Sequence, residues 1–316
     1  MSTQDISRTK AWVMAARPQT LPAAAAPIFV GVGLAVHDGV FAALPALAAF
    51  VGAALIQVGT NFANDYYDAV QGADTEDREG FTRVTAGGLI EPAEVKRAMY
   101  LTFAAAVLVG TYLVYVGGVP IVVVGLLSVA SGIAYTGGPY PLGYHGLGDL
   151  FVFLFFGVVA VTGTYYVQAA AALADPLSLG VPPNTLPFDA FVASLAVAAL
   201  STNILVVNNV RDKEEDATTG KRTLAVRFGY AFSRGEFAAM LALAYLVPLW
   251  FVTRESFGIA VLLPLVTLPY ALSVTLTVFT ETSGGALNPA LERVGKLLAM
   301  FAALFGFGLS FGGLPL

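Results

Sequence analysis

The 316-residue sequence predicts an all-α integral membrane protein with nine transmembrane helices. Hydrophobic residues make up 57% of the chain, charged residues only 12%, and the mean hydropathy is +0.76. Ordinary soluble domains are about half apolar and about a quarter charged, so this composition indicates a membrane protein. The apolar residues fall into nine stretches, each near the length of about 20 residues that a spanning helix needs.

The longer polar links between the nine candidate spans follow the second and the sixth. The approximate ranges of the spans are 20–36, 40–64, 95–116, 119–136, 149–173, 188–210, 235–253, 257–280 and 294–313. The first contains Pro22 and Pro27, so we expect it to be kinked or tilted. Frequent Gly and Ala in several spans allow close helix packing within a bilayer. We therefore expect one polytopic domain over 1–316, with 1–19 as a cytoplasmic N-terminal segment.

The basic residues predict the orientation of these spans. With the N-terminus in the cytoplasm, all of the 16 Lys and Arg residues except Arg254 fall in cytoplasmic segments. This asymmetry follows the positive-inside rule and predicts a multi-pass plasma-membrane protein whose C-terminus lies outside. Removing one span would move the basic residues of the second half to the opposite face, so the same count supports nine spans.

Composition also excludes several kinds of site. The chain has no cysteine, which excludes disulfides, thiol nucleophiles and thiolate metal sites. Its two histidines, His37 and His145, are too few for a histidine-based metal centre. The net charge of −5 argues against nucleic acid as a partner.

The second span ends in a group of acidic and amide side chains. Asn61, Asn64, Asp65 and Asp68 are spaced i, i+3, i+4 and i+7, which places all four on one helical face. Such oxygen-bearing side chains suit Mg²⁺, which takes one or two carboxylates and completes its shell with water and phosphate oxygens. For a single motif of this kind, a solvated acidic loop that merely ends a helix is an equally good interpretation.

A second motif at the end of the sixth span favours the metal site. Asn208, Asp212 and Asp216 are spaced i, i+4 and i+8, again on one helical face. The matched motifs predict an internal duplication, with spans 1–4 and 5–8 as two parallel four-helix repeats and the ninth helix extra, around a central cavity. Facing carboxylates would repel each other unless divalent cations and a polyanion lay between them.

Basic side chains follow each acidic motif. Arg78 and Arg83 come after the first, and Lys221 and Arg222 after the second. Such residues contact diphosphate oxygens and stabilise the charge of a leaving group. The positive-inside rule explains their side of the membrane but not their position beside the carboxylates. A lipid diphosphate is the simplest ligand for this arrangement.

These motifs resemble those of the UbiA-type intramembrane prenyltransferases. That family carries Asp-rich motifs on its second and sixth helices, similar to Asn64-Asp65-x-x-Asp68 and Asp212-x-x-x-Asp216. The segments RPQTLP at 17–22, YTGGPYPLGYHGLGD at 135–149, GTYYVQ at 163–168 and GKRTLAV at 220–226 resemble its 1,4-dihydroxy-2-naphthoate branch. The first motif departs from the broader family, because Gly72 stands where a third Asp is usual and Asp74 follows two residues later.

The resemblance implies a Mg²⁺-dependent transferase that uses a polyprenyl diphosphate and 1,4-dihydroxy-2-naphthoate. Diphosphate and CO₂ would be lost to give demethylmenaquinone, in menaquinone biosynthesis. The implied catalytic and metal residues are Asp65, Asp68, Asp212 and Asp216, with Asp74 as a further ligand. The candidate substrate-binding residues are Asn61, Asn64, Arg78, Arg83, Tyr135, Tyr140, Tyr166, Gln168, Asn208, Lys221 and Arg222.

Other interpretations stay open at this point. Anchoring of helices at the membrane interface is the alternative interpretation of the tyrosines, and interhelical hydrogen bonding is that of Gln168. Within prenyl transfer, 4-hydroxybenzoate, homogentisate, haem, a tetrapyrrole alcohol or a glycerol-phosphate lipid are alternative acceptors. A cation-coupled transporter also contains repeats and carboxylates, but its site usually lies at the bilayer midplane between broken helices.

Overall fold

The computed structural model describes residues 6–72 and 83–311, and within these ranges it contains helices and turns but no strand. Its principal helices are α1 (Arg8–Ala16), α2 (Leu21–His37), α3 (Ala43–Val70), α4 (Pro92–Gly117), α5 (Val119–Ala134), α6 (Gly148–Leu173), α7 (Phe188–Arg211), α8 (Lys213–Thr218), α9 (Leu224–Val252), α10 (Ile259–Thr280) and α11 (Gly284–Ser310).

Among the described residues, eight helical segments are long and apolar enough to cross a membrane. They are α2 taken together with α1, then α3, α4, α6, α7, α9, α10 and α11. The helix α5 is equally apolar but has only 16 residues. With α5 included, the spans occur in the predicted order, which confirms the all-helical membrane fold.

Several helices extend beyond the apolar stretches that predicted them. Helix α9 begins at Leu224 rather than near 235, because the Thr223 hydroxyl accepts a hydrogen bond from the Val226 N–H and caps its first turn. Gly229, with φ of 80°, then kinks the same helix. Hydropathy detects the part of a helix that suits lipid and misses the polar turns outside it.

The first and last spans close the bundle through small residues. A Cβ atom added to Gly33 of α2 would lie 2.1 Å from the Gly306 carbonyl oxygen of α11. A Cβ atom on Gly306 would lie 2.2 Å from the Phe29 carbonyl oxygen. The two backbones therefore approach closely, as small residues allow in membrane helix pairs. The helix outside the two predicted repeats thus packs against the first span.

The two halves of the bundle are not equally packed. In α7, 78% of the most apolar stretch is buried, compared with 28% in α3, the helix at the matching position of the first half. A large apolar cavity lies among α2, α3, α4, α5 and α6. The cavity therefore lies toward the first half of the chain.

Candidate active site

The two acidic motifs meet at a polar cavity of about 190 Å³ at the ends of α3 and α7. Asp68 of the first motif and Asp212 and Asp216 of the second all line it. The other lining residues include Arg17, Asn64, Arg83, Tyr135, Thr136, Tyr144, Asn208, Asn209, Arg211, Lys221 and Thr223. The cavity therefore combines carboxylates, amides and cations on elements from both halves of the chain.

The first motif is buried and held by segments on both sides of it. Asp68 lies 3.0 Å from the Arg83 guanidinium and accepts a 2.6 Å hydrogen bond from the Tyr144 hydroxyl. Asp65, only 1% exposed, accepts a 3.0 Å hydrogen bond from the Thr85 N–H and lies 3.7 Å from Arg17. Residues far apart in sequence thus fix both carboxylates on the last turns of α3.

The second motif is organised by the arginine that ends α7. Arg211 makes two parallel contacts to Asp212, from Nε to Oδ1 at 2.6 Å and from Nη2 to Oδ2 at 2.8 Å. It also donates to the side-chain oxygens of Asn208 at 2.7 Å and Asn288 at 2.8 Å. This fork geometry fixes the Asp212 carboxylate firmly. Asp216 follows on α8 and is also buried.

A lysine after α8 links the two motifs. The Lys221 Nζ atom lies 3.8 Å from an oxygen of Asp68 and 3.8 Å from an oxygen of Asp216. The same ammonium lies 4.8 Å from the centre of the Tyr144 ring, within the range of a cation–π interaction. Lys221 therefore contacts groups on α3, on α8 and on the link between α5 and α6.

The donor atoms of this cavity fit a hard divalent cation. Within the described residues no three acidic or histidine side chains converge into a compact metal-binding group. Carboxylate oxygens of both motifs nevertheless share one cavity with the amides of Asn64, Asn208 and Asn209. Oxygen donors of this kind, supplemented by phosphate oxygens, are the coordination that Mg²⁺ prefers.

A second, apolar cavity of about 640 Å³ adjoins the polar one. Small and branched aliphatic residues of α2–α6 dominate its lining, together with Phe151, Phe155 and Phe156. Its volume and apolar lining suit a lipid chain. Tyr135, just after α5, lines both cavities, and burial raises the pKa of its phenol. A neutral tyrosine therefore stands where the polar and apolar chambers meet.

The polar cavity contains many of the residues that the sequence predicts for the site. Those lining it are Asn64, Asp68, Arg83, Tyr135, Asn208, Asp212, Asp216 and Lys221. Asp65 lies on the same last turns of α3. Asp74 and Arg78 lie outside the described residues.

The structure places five other candidates away from the cavity lining. The Asn61 amide donates to the Ala16 carbonyl at 2.9 Å and to Thr20 at 3.0 Å, so it holds the chain before α2. The Tyr166 hydroxyl donates to the Gly117 carbonyl at 2.6 Å, at the turn between α4 and α5. Gln168 is fully buried and donates to the Thr164 carbonyl within α6. Tyr140 is exposed and stacks on His145, and the Arg222 side chain is exposed.

Among the cavity-lining residues that were not predicted, Arg17, Tyr144 and Arg211 pair with the carboxylates of the acidic motifs. Arg17 belongs to the RPQTLP segment, and Arg211 lies inside the second acidic motif, so their positions beside recognised patterns were available signals. Tyr144 also lies in a recognised segment, at 135–149, but only the tertiary fold brings its hydroxyl to Asp68. No local spacing in the sequence points to that contact.

The chain is similar to known proteins over nearly its full length. Residues 24–309 match the UbiA prenyltransferase family. The chain is 37% identical to 1,4-dihydroxy-2-naphthoate octaprenyltransferase of Escherichia coli (strain K12), over 98% of each chain. It is 36% identical to the enzyme of that name from Mycobacterium tuberculosis (strain ATCC 25618 / H37Rv), over 96% of this chain and 98% of that one.

A solved structure shares the fold as well. The structure of a UbiA homolog from Archaeoglobus fulgidus bound to DMAPP and Mg²⁺ aligns with a TM-score of 0.60 at 16% identity. The alignment covers 93% of this chain and 98% of that one.

Proposed function

Because the chain belongs to the UbiA prenyltransferase family, we propose that it transfers a polyprenyl group from polyprenyl diphosphate to 1,4-dihydroxy-2-naphthoate. The products would be demethylmenaquinone in its reduced form, CO₂ and diphosphate, as a step of menaquinone biosynthesis. The observation that carries this proposal is the 37% and 36% identity, over nearly full length, to two enzymes named for that acceptor.

Mg²⁺ is the proposed cofactor. Asp68, Asp212 and Asp216 would hold it with the diphosphate, with Asp65 beside them and Asp74 as a further candidate. A divalent ion supplies charge stabilisation to a departing diphosphate. The A. fulgidus homolog bound to DMAPP and Mg²⁺ supports this choice of metal.

The two cavities would bind different parts of the prenyl diphosphate. Arg83 and Lys221 line the polar cavity and would neutralise the charge of the diphosphate as it leaves. The apolar cavity would receive the prenyl chain. Tyr135 would then lie near the carbon joined to the diphosphate, where its ring stabilises developing positive charge.

The proposed bond changes balance without a base at the reacting ring carbon. The carbon–oxygen bond of the prenyl diphosphate breaks, and its electron pair leaves with the diphosphate. The ring carbon that bears the carboxylate bonds to the allylic carbon. The bond to the carboxylate then breaks, and its electron pair restores the aromatic ring as CO₂ departs. No proton leaves that carbon, so no general base is required there.

The chain is a multi-pass membrane protein, and we infer its orientation from the basic residues. The N-terminus and both acidic motifs would face the cytoplasm and the C-terminus the outside. We also treat 1–316 as a single domain, because α2 packs against α11 and closes one bundle.

An acceptor assay tests the proposal. Purified protein is supplied with a long prenyl diphosphate, Mg²⁺ and 1,4-dihydroxy-2-naphthoate labelled in its carboxyl carbon. We expect labelled CO₂ to be released in step with diphosphate, and 4-hydroxybenzoate to be a poor acceptor. Equal use of 4-hydroxybenzoate, or a product that keeps the label, would contradict the assigned acceptor. No transfer to any aromatic acceptor would contradict the activity itself.

A further inference from the structure

The carboxylates of the two acidic motifs are paired with cations of the protein itself. Each of the four motif carboxylates is buried and has a basic partner in the protein. Arg17 pairs with Asp65, Arg83 with Asp68, Arg211 with Asp212, and Lys221 with both Asp68 and Asp216. Buried charges are tolerated only when they are paired, so the protein itself supplies the compensating cations.

Lys221 differs from Arg83 and Arg211 in how it is held. Arg211 makes four hydrogen bonds within 2.8 Å, and Arg83 bonds directly to Asp68 at 3.0 Å. The Lys221 ammonium lies 3.8 Å from each of its two carboxylate oxygens, beyond hydrogen-bond distance. Its backbone N–H is fixed to the Asp216 carbonyl at 2.9 Å, whereas its side chain is a flexible stem. Among the cations paired with the cavity-lining carboxylates Asp68, Asp212 and Asp216, Lys221 is therefore the one best able to change partners.

We propose that the Lys221 ammonium bridges the two acidic motifs in the place of a metal cation. When metal and diphosphate bind together, the ammonium exchanges its carboxylate partners for the diphosphate. A divalent ion that binds alone would compete with this ammonium and leave it buried without an anion. The diphosphate gives the Lys221 ammonium a new anionic partner, so bound diphosphate makes it easier for the metal to displace the ammonium. In the same way, bound metal releases the ammonium to pair with the diphosphate. Mg²⁺ and the prenyl diphosphate therefore bind with positive cooperativity, which must be reciprocal.

This inference rests on the proposed function, because it requires a metal and a diphosphate in the same cavity. It also makes a separate claim about Lys221 that activity alone does not report. Removing the ammonium should remove its competition with the metal at Asp68 and Asp216, while Asp68 keeps its contacts to Arg83 and Tyr144. The variant Lys221→Gln should therefore bind Mg²⁺ more tightly than the wild type in the absence of diphosphate, although it is a weaker enzyme.

Calorimetry on the purified full-length protein in detergent tests the claim. Mg²⁺ is titrated with and without an unreactive prenyl diphosphate in which a methylene group replaces the oxygen that would leave, with correction for metal bound by the analogue in solution. For the wild type we expect the analogue to tighten Mg²⁺ binding at least tenfold. For Lys221→Gln we expect Mg²⁺ alone to bind several-fold tighter than in the wild type, and the effect of the analogue to shrink.

Two further variants control the measurement. Lys221→Arg keeps a cation and should retain weak binding of Mg²⁺ alone. Lys213→Gln removes a lysine that pairs with Glu214 on the nearby helix α8, outside the cavity lining, and should match the wild type. Mg²⁺ binding that ignores the analogue, or that weakens in Lys221→Gln without it, would overturn the inference. If the wild type binds neither Mg²⁺ nor the analogue, the proposed function fails instead.

Discussion

The Tyr144 hydroxyl donates a 2.6 Å hydrogen bond to the Asp68 carboxylate and joins the link between α5 and α6 to the first acidic motif. The Tyr144 carbonyl accepts a 2.7 Å hydrogen bond from the Arg222 N–H, which follows the second motif. One residue of a Gly-rich link thus ties together the two motifs of the cavity.

Removing this hydroxyl should change the position of the Asp68 carboxylate and leave the other residues of the cavity in place. A hydrogen bond to a charged group contributes about 1.5–3 kcal/mol. We therefore expect Tyr144→Phe to lower kcat/KM by roughly 10- to 100-fold. Steady-state kinetics of the purified enzyme measure this loss. Tyr115→Phe, on an exposed face of α4, is the matched control and should keep wild-type kinetics.

Loss of a single carboxylate from either acidic motif should nearly abolish turnover. Asp68→Asn and Asp212→Asn each remove charge that would hold the metal and its diphosphate, and we expect each to reduce turnover by more than about 100-fold. Glu214→Gln should have little effect, because Glu214 is exposed and pairs with Lys213 outside the cavity lining. Turnover is measured as diphosphate release, with EDTA as a parallel treatment. Full activity in EDTA would contradict a metal-dependent reaction.

The ring of Tyr135 should matter more than its hydroxyl. A ring next to developing positive charge contributes about 1–2 kcal/mol, so Tyr135→Leu should slow turnover by roughly 5- to 30-fold. Tyr135→Phe retains the ring and should lose much less. Single-turnover rates at saturating substrates compare the two variants. Equal losses in both would show that the hydroxyl is the important group.

Cysteine labelling can test the orientation, since the chain contains no native cysteine. We expect Thr218→Cys, between α7 and α9, to react with a membrane-impermeant reagent only from the cytoplasmic side. Pro183→Cys, between α6 and α7, should react only from outside. Both positions are exposed in the structure. Labelling of both cysteines from one side would contradict the assignment of α7 as a membrane span.

The contact between α2 and α11 should be sensitive to a single methyl group. Gly33→Ala would place its Cβ atom against the Gly306 backbone, which cannot move aside as a side chain would, so we expect a lower thermal unfolding temperature in detergent. Gly285→Ala meets no atom within 4 Å and should unfold at or above the wild-type temperature. An unchanged unfolding temperature for Gly33→Ala would show that α2 and α11 can move apart without loss of stability.

Local patterns were sufficient to predict most of the helices and the two acidic ends. The i, i+3, i+4, i+7 spacing predicts one shared face for Asn61, Asn64, Asp65 and Asp68, and the structure brings Asn64 and Asp68 of that face to the polar cavity. Asn61 lies one turn before Asn64 and Asp65, where the neighbouring structure is the turn before α2 and not the cavity. Helical spacing determines which residues share a face. Which residues of that face line the cavity depends on the neighbouring helices.

The aromatic candidates show the same limit. Tyr135 and Tyr166 are both tyrosines near the ends of apolar segments, yet Tyr135 lines two cavities and Tyr166 bonds to Gly117 near the opposite end of α5. Which end of a span a tyrosine occupies is readable from sequence, but the partner that it meets is not. Tyr144 and Arg17 were missed for the same reason, because their contacts join segments distant in the chain.

The glycine contact between α2 and α11 also has a consequence for how the protein is made. Gly33 leaves the ribosome 273 residues before Gly306. At about 5–20 residues per second, the nascent α2 waits roughly 15–55 s for its partner. During that interval the surface of α2 around Gly33 faces lipid or the insertion machinery. In a chain that stops short of α11, this surface is never covered by α11. Premature termination before α11 therefore leaves Gly33, near the opposite end of the polypeptide, without its packing partner.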